Sequence, residues 1–295
     1  MSTYVLWDID GTLIYNTPQG GALYIEAIEQ VTGTRPTVPV DNPHGMTEGQ
    51  LLIEILKANE LDTARIGDVL YQLDVLSREQ HERGHVREAC VGAYSAVAAV
   101  ADRGWTNALL TGNGPNRARY KLLAAGFDPE DFDWEHSYFG HESPTRHHLT
   151  AGARASLVGQ NAVIIGDTPN DGLAADSAGI PFIAVATGVY GTEELARTSA
   201  RVVVDDLETG LAEVLAAIGD TEPEAESQAD GESQAEADPA PEPEPVEVAA
   251  QDAAEQDGSP QDASPQDGSP QDASESAADD LARFGENPDI ESSQG

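Results

Sequence analysis

Residues 3–12 read TYVLWDIDGT, and this stretch decides the predicted fold. A short, β-prone and largely apolar run ends at Asp8, a pattern typical of a strand buried in a parallel sheet. Asp10 follows two positions later, and a turn at Gly11 lets both carboxylates reach one site. Paired carboxylates hold a metal ion or form an acid–base pair, and the turn offers backbone N–H groups to an anion. An ordinary Asx-type turn after a strand is the alternative.

Further strands and helices alternate along the rest of the chain. Apolar runs typical of buried strands are Trp105–Leu110, Ala162–Ile165, Phe182–Ala186 and Arg201–Val204. Helical patterns lie between or after them, at Tyr94–Arg103, Pro115–Ala125, His147–Leu157, Asn170–Ala178 and Leu207–Ile218. This alternation predicts an α/β fold, a doubly wound parallel sheet with helices on both faces.

The segment 16–89 breaks the alternation. It predicts helices over Gln19–Val31, Thr47–Asn59 and from Thr63 to about Arg83. We therefore expect an α/β core formed by residues 1–15 and 90–219, with a helical cap, residues 16–89, inserted over the carboxyl edge of the sheet. Hinges for cap closure are expected near Asn16 and at 89–92.

A third region, 220–295, is acidic and of low complexity. It holds 23 acidic residues and one basic residue, so it carries −22 of the total formal charge of −38. Residues 256–275 repeat QDGSP or QDASP with little variation. Such a segment cannot bury enough surface to offset chain entropy, and we predict disorder. A solubility role is expected, and a protein that binds the tail is the alternative.

Charge and composition exclude several classes of function. Only two lysines, Lys57 and Lys121, occur in the chain, and residues 1–219 are themselves acidic. Neither nucleic acid nor an anionic membrane surface is expected as a partner. The single cysteine, Cys90, is expected to be a small buried hydrophobe in a reducing compartment. With no long apolar run and no room for a signal peptide, the prediction is a cytoplasmic protein.

Two more polar clusters follow predicted strands. Thr111-Gly112-Asn113 precedes a helix and offers a hydroxyl and N–H groups to an oxyanion, although helix capping explains the same residues. Asp167 follows Ala162–Ile165 and suits a cation site, while Asp171 is either a helix cap or part of that site. Ligands bind beyond the carboxyl ends of strands in open α/β sheets, so we expect the three clusters to meet.

Together the three clusters, in this order, resemble the haloacid dehalogenase (HAD) superfamily of hydrolases, over about residues 3–218. The motif D-x-D-G-T at 8–12 and the motif G-D-T-x-x-D at 166–171 carry the resemblance. The helical segment after the first motif is similar to the cap of the phosphoglycolate phosphatase-like branch. The resemblance implies a Mg²⁺-dependent phosphatase that hydrolyses a small phosphorylated metabolite, a phosphoglycolate-like ester being one candidate, through an aspartyl-phosphate intermediate.

The resemblance also implies residue roles. Asp8 is the expected nucleophile and Asp10 the expected general acid and base. Thr111, Gly112 and Asn113 are expected to bind the phosphoryl group. The expected metal site comprises Asp8, Asp10 through its backbone carbonyl, Asp167 and Asp171, the last supporting metal-bound waters.

The family expects a lysine or arginine between the second and last motifs, most often a lysine followed by proline, and no lysine occurs between Lys121 and the last motif. Arg146 is the candidate for that phosphate-binding cation, because a guanidinium can clamp phosphate and an aspartate together. Lys121 is expected on the surface of its helix, as is Lys57 in the cap. His147 and His148 are expected to be structural or to face solvent.

Catalysis by Asp10 adds a further expectation. An aspartic acid with an ordinary pKa is a poor proton donor at neutral pH, so the pKa of Asp10 is expected to be raised. The second aspartate favours phosphoryl transfer over dehalogenation. The remaining alternatives are a phosphosugar mutase of the same superfamily and a non-catalytic scaffold that presents the acidic tail.

Overall fold

The structure, a computed structural model, describes residues 2–221. The predicted disordered tail therefore lies outside the described residues, apart from Asp220 and Thr221. Within them, no helix has both the length and the apolar character needed to cross a membrane.

A parallel sheet of six strands forms the centre of the fold. The strands are β1 (Thr3–Trp7), β2 (Thr106–Thr111), β3 (Tyr138–Phe139), β4 (Asn161–Gly166), β5 (Phe182–Val185) and β6 (Val202–Val204). Their order is β3-β2-β1-β4-β5-β6, and every neighbouring pair is parallel. The predicted fold class is confirmed. The edge strand β3 was not predicted, because two residues are too few for a periodic pattern.

Nine α-helices accompany the described strands. They are α1 (Pro18–Thr32), α2 (Glu48–Ala58), α3 (Ile66–Glu82), α4 (Ala93–Asp102), α5 (Pro115–Ala125), α6 (Arg146–Ser156), α7 (Pro169–Ala178), α8 (Thr192–Leu195) and α9 (Leu211–Gly219). Short 3₁₀ turns occupy Thr63–Arg65 and Pro129–Asp131. The last helix was predicted from Leu207 but begins at Leu211. Asp206 accounts for the delay, because its carboxylate accepts hydrogen bonds from the N–H groups of Glu208 and Thr209 and holds a turn there.

Both faces of the sheet are covered, and β1 shows how. Its alternate residues Val5 and Trp7 join a hydrophobic cluster that includes side chains from α4, α5 and α9. Tyr4 and Leu6 point the other way, into a cluster with side chains from α6 and α7. A strand buried on both faces needs a nearly continuous apolar run, which is what residues 4–7 supply.

Helices α1, α2 and α3 pack around a third hydrophobic cluster of their own. Leu23 and Ile28 of α1, Leu52 and Leu56 of α2, and Leu73 of α3 are among its buried members. These helices stand in the chain between β1 and α4, and "cap" is used below for residues 16–89. The domain boundaries remain a prediction.

Sheet topology fixes where polar residues gather. In this strand order β1 lies between β2 and β4, so the connections after β1 and β4 leave opposite faces and open a crevice at the carboxyl edge. The three polar clusters follow β1, β2 and β4 and therefore share this edge.

Candidate active site

Three buried carboxylates meet at the carboxyl edge of the sheet. Asp8, Asp167 and Asp171 each contribute an oxygen, and these oxygens all lie within 4.8 Å of one another. Asp8 follows β1 and Asp167 follows β4, and these strands pair with Trp7 opposite Ile165. The register thus places the first and third polar clusters side by side.

Two glycines make room for the carboxylate of Asp167. A Cβ on Gly11 would lie 2.2 Å from Oδ2 of Asp167, and one on Gly188 would lie 1.8 Å from the same atom. Gly11 also has a φ of 86°, in the left-handed region that glycine adopts at little cost. The hydroxyl of Thr12 donates to Oδ1 of Asp167 over 3.2 Å. The glycine of the D-x-D-G-T motif is therefore required by a neighbouring carboxylate as well as by the turn.

Arg146 lies against the same cluster. It is the first residue of α6, whose cap Thr145 accepts from the N–H of His148, and it is 1% exposed. Its Nη2 lies 2.7 Å from Oδ1 of Asp171 and 3.4 Å from Oδ1 of Asp8. The guanidinium also donates to the carbonyl of Leu110 over 2.8 Å. Arg146, the phosphate-binding candidate from the sequence, is thus the cationic side chain that contacts Asp8 among the described residues.

Asp171 serves the helix and the site together. Its Oδ2 accepts from both the N–H and the hydroxyl of Thr168, which forms a capping box at the start of α7. Its Oδ1 pairs with Arg146. Both oxygens are thus engaged by protein groups, and the residue is placed to orient Arg146.

One arginine among three carboxylates leaves the cluster negatively charged. Burial raises the pKa of Asp8 to about 7, with Arg146 opposing and Asp171 and Asp10 adding to the rise. The pKa of Asp167 is raised well above its ordinary value by burial and by the charges of Asp8 and Asp171. Among the described residues, Asp167 has no basic side chain as ion-pair partner. Hard oxygen donors with excess negative charge fit a divalent cation.

Asp10 turns away from that cluster toward Lys121. Nζ of Lys121 lies 2.5 Å from Oδ2 of Asp10 and 2.6 Å from Oδ1 of Asn113. The expected surface position of Lys121 is wrong, because its side chain is 7% exposed and points into the site. Burial lowers the pKa of Lys121 to about 8, although Asp10 opposes the shift.

The expected rise in the pKa of Asp10 is also wrong for this state. Burial acts to raise it, but the charges of Lys121 and Arg87 and hydrogen bonds from Lys121 and Asn113 outweigh burial. The pKa of Asp10 therefore lies below its ordinary value, and the side chain is a carboxylate here. The lysine that the helix pattern assigned to the surface is the main reason.

The second cluster supports Asp10 through Asn113. Nδ2 of Asn113 donates to Oδ2 of Asp10 and to Oγ1 of Thr111, each over 2.7 Å. Because both amide hydrogens are engaged, the side chain of Asn113 orients Asp10 and has no hydrogen left for a bound oxyanion. Thr111 accepts from Asn113, so its own hydroxyl proton remains available to the pocket, which it lines with Gly112.

Among the residues of the pocket wall that sequence reasoning missed are Tyr24, Glu48, Arg87 and Arg117. Glu48 of the cap pairs with Arg117 of α5 over 2.7 Å, and both are nearly fully buried. Glu48 also accepts from the N–H of Gly114 over 2.6 Å and from the hydroxyl of Tyr24 over 3.3 Å. A signal was present, since Arg117 and Lys121 are four residues apart on the helix that follows the second motif and so share one face.

The cap closes over these groups. Together the three polar clusters, α5 and the cap enclose a pocket of about 130 Å³. The pocket reaches from Asp8 and Asp167 to Arg87 and Tyr24. By contrast, His147, His148 and Lys57 are exposed, as expected. Cys90 is buried, also as expected.

Comparisons with known proteins agree with the fold. A family model described as HAD-hydrolase-like matches residues 144–210, the part that carries Arg146, Asp167 and Asp171. "Probable phosphatase IndB" of Dickeya dadantii (strain 3937) is 27% identical over 223 residues, covering 70% of this chain and 90% of that protein.

Solved structures share the fold at lower identity. A HAD hydrolase of family IA, variant 3, from Entamoeba histolytica HM-1:IMSS is 18% identical with a TM-score of 0.56, covering 74% of this chain and 100% of that one. CbbY from Rhodobacter sphaeroides, solved in complex with phosphate, is 19% identical with a TM-score of 0.55 and the same coverage of each chain. Residues 144–210 are thus similar to HAD-like hydrolases, and the chain shares its fold with solved HAD hydrolases.

Proposed function

We propose that this hydrolase is a Mg²⁺-dependent phosphatase that cleaves a small phosphomonoester through an aspartyl phosphate on Asp8. The observation that carries the proposal is the placement of Asp8 beside Arg146 and two further buried carboxylates at the carboxyl edge of the sheet. The relative named as a probable phosphatase supports it, as does the related fold of CbbY, which holds phosphate.

The residues present fit the proposed metal. Asp8, Asp167 and the backbone carbonyl of Asp10 would hold Mg²⁺, with Asp171 nearby. When bound, the ion supplies positive charge that offsets the repulsion between a carboxylate nucleophile and an anionic ester. Arg146 adds the protein's own positive charge at the same place.

The chain's carboxylates divide the proposed reaction between them. Asp8 attacks phosphorus and forms the P–O bond of an aspartyl phosphate, while the bond to the leaving oxygen breaks. Asp10 gives that oxygen its proton. It later takes a proton from the water that attacks phosphorus, while the bond between phosphorus and Asp8 breaks and inorganic phosphate leaves. The second step can begin from the carboxylate seen here, whereas the first requires Asp10 to gain a proton and release Lys121.

The pocket supports a small substrate. The cap side chains Tyr24 and Met46 and the core residues enclose about 130 Å³, a volume that suits a metabolite rather than a macromolecule. Thr111 and the N–H of Gly112 remain to bind phosphoryl oxygens, because Asn113 is engaged with Asp10 and Thr111, and the N–H of Gly114 is engaged with Glu48.

A phosphate-release screen tests the proposal. The full-length protein is assayed over a panel of phosphorylated metabolites with Mg²⁺ and with a chelator. We expect Mg²⁺-dependent release and a trapped phosphoenzyme, both reduced in Asp8→Asn by about 10³-fold or more. Asp102→Asn, an exposed residue at the end of α4, is the matched control and should behave as the wild type.

Other outcomes separate the alternatives. Conversion of one phosphosugar isomer into another with little free phosphate would indicate a mutase. Failure to turn over any ester would favour a scaffold. Undiminished hydrolysis by Asp8→Asn would remove the covalent mechanism.

A further inference from the structure

Arg87 is a buried cation that lacks a carboxylate partner. It is 8% exposed and lines the pocket. Its side chain donates to the hydroxyl of Thr17 over 3.1 Å, and within residues 2–221 it forms no ion pair. A buried guanidinium without a counter-charge is costly, so its retention on a pocket wall points to an anionic occupant.

The local charge balance supports this reading. Three cations lie at the cap end of the pocket, Arg87, Arg117 and Lys121. Glu48 neutralises Arg117 and Asp10 neutralises Lys121. The positive charge of Arg87 is therefore in surplus.

The first turn of α1 lies at the same place. Thr17, Gly20 and Gly21 line the pocket, and a Cβ on Gly20 would lie 3.6 Å from Nη2 of Arg87. Thr17 makes no side-chain capping bond to the helix, and the first turn contains no acidic residue. The N-terminal end of this 15-residue helix thus presents its partial positive charge beside Arg87.

Arg87 and Arg146 face different parts of the pocket. The charged groups that act most strongly on Arg146 are Asp171, Asp8 and Asp167. Those that act on Arg87 are Asp10 and Arg117. Asp10, the proposed proton donor to the leaving oxygen, thus stands on the side of Arg87, where the leaving group would extend.

We propose that Arg87 and the first turn of α1 form a second anion-binding subsite, which holds a carboxylate or a second phosphate on the leaving group of the substrate. The inference rests on the proposed function and narrows it. The preferred substrates are phosphomonoesters that carry a second anionic group within the reach of this small pocket.

Matched pairs of esters test the subsite in the full-length protein. O-Phosphoglycolate is compared with ethyl phosphate, and 1,3-propanediol bisphosphate with propyl phosphate. We expect the wild type to favour the anionic member of at least one pair by about tenfold or more in kcat/KM, mainly through KM. The pair that shows the preference identifies the second anion as a carboxylate or a phosphate.

Variants at position 87 connect the preference to the arginine. Arg87→Gln should lower the selectivity ratio about tenfold, and Arg87→Lys, which keeps the charge, should retain part of it. Arg78→Gln on the exposed face of α3 is the control and should keep the wild-type ratio. If Arg87→Gln lowered kcat/KM equally for both members of each pair, Arg87 would have only a structural role and the proposal would be overturned. A wild type with no preference in either pair would overturn it as well.

A binding measurement separates this inference from the phosphatase proposal. Calorimetric titration of full-length Asp8→Asn with O-phosphoglycolate, ethyl phosphate and the second pair needs no turnover. Tighter binding of an anionic member, lost when Arg87→Gln is added, would support the subsite even if the wild type hydrolysed none of the esters. If neither pair showed a difference in binding affinity, the subsite would be overturned. Any hydrolysis observed with the wild type would still support the phosphatase proposal.

Discussion

Asp10 is held between an ammonium and an amide, and this pairing sets its protonation state. Lys121 and Asn113 both contact Oδ2 of Asp10, and together with Arg87 they depress its pKa despite burial. A general acid with a depressed pKa has to be released from its partners before it can donate a proton. Lys121 is therefore a positioning residue for both halves of the proposed reaction.

Replacing Lys121 with Met tests that role at the residue scale. The pKa of Asp10 should rise, because burial remains and the adjacent cation is gone. We expect kcat to fall by about tenfold or more, and the protonation of Asp10 to shift to higher pH in a carboxyl titration followed by ¹³C NMR. Lys57→Met, the exposed and only other lysine, should change neither quantity. An unchanged titration of Asp10 in Lys121→Met would contradict the assignment.

At the scale of elements, backbone contacts seat the cap on the core. The N–H of Glu48 donates to the carbonyl of Gly112 over 2.8 Å, and that of Gly49 donates to Gly140 over 3.3 Å. The hydroxyl of Thr47 donates to the carbonyl of Ser143 over 2.7 Å. The start of α2 thus rests on loops that follow β2 and β3, and it brings Glu48 to Arg117.

The close approach of the cap to Gly112 predicts the effect of adding a methyl group at that position. In Gly112→Ala the new Cβ would lie 2.4 Å from the carbonyl oxygen of Met46, so the cap must shift away from the second cluster. We expect kcat/KM to fall by about tenfold or more, since small displacements of catalytic groups are costly. Hydrogen exchange should rise at 46–52.

Gly152→Ala provides the control for this change. Gly152 lies within α6 and has open space around the position of a Cβ, so alanine should raise the free energy of unfolding by about 0.5–1 kcal/mol with wild-type kinetics. Wild-type activity and exchange in Gly112→Ala would show that the close approach of the cap is not needed.

At the scale of the whole molecule, an acidic protein concentrates further negative charge at its site. The formal net charge is −38, and the cluster of Asp8, Asp167 and Asp171 adds a local excess that Arg146 alone does not balance. Protons and a divalent cation compete to relieve that excess. Because burial and neighbouring carboxylates raise the pKa of Asp8 to about 7, the competition falls near neutral pH.

The competition predicts how Mg²⁺ stabilises the fold. In the metal-free folded state the pKa of Asp8 is raised. Its contribution to the free energy of unfolding is therefore lost as the pH rises toward about 7. Above that pH the deprotonated carboxylate is free to bind metal. The rise in Tm on adding Mg²⁺ should therefore be larger at about pH 8 than at about pH 6. Thermal unfolding with Mg²⁺ and with a chelator measures it. Asp167→Asn should weaken the effect at both values, and equal Mg²⁺ shifts at both in the wild type would contradict the linkage.

Much of the fold was predictable because its signals are local. Buried strands such as Thr3–Trp7 and the helices between them leave periodic patterns in the sequence, whereas Tyr138–Phe139 is too short to leave one. The site carboxylates were found for the same reason, since Asp8 and Asp167 directly follow strands and parallel strands end at one edge. Arg146 was found by its place at the start of a helix between two motifs.

The sequence by itself determined the sheet, the edge where the site lies and the carboxylates that form it, because each depends on neighbours within a few residues. Only the tertiary structure decided what surrounds Asp10. Lys121, Arg117 and Glu48 look like surface charges on their own helices, and they become buried because the cap packs against α5. Whether a charge faces solvent or a pocket depends on which distant element covers it, and that information is absent from local pattern.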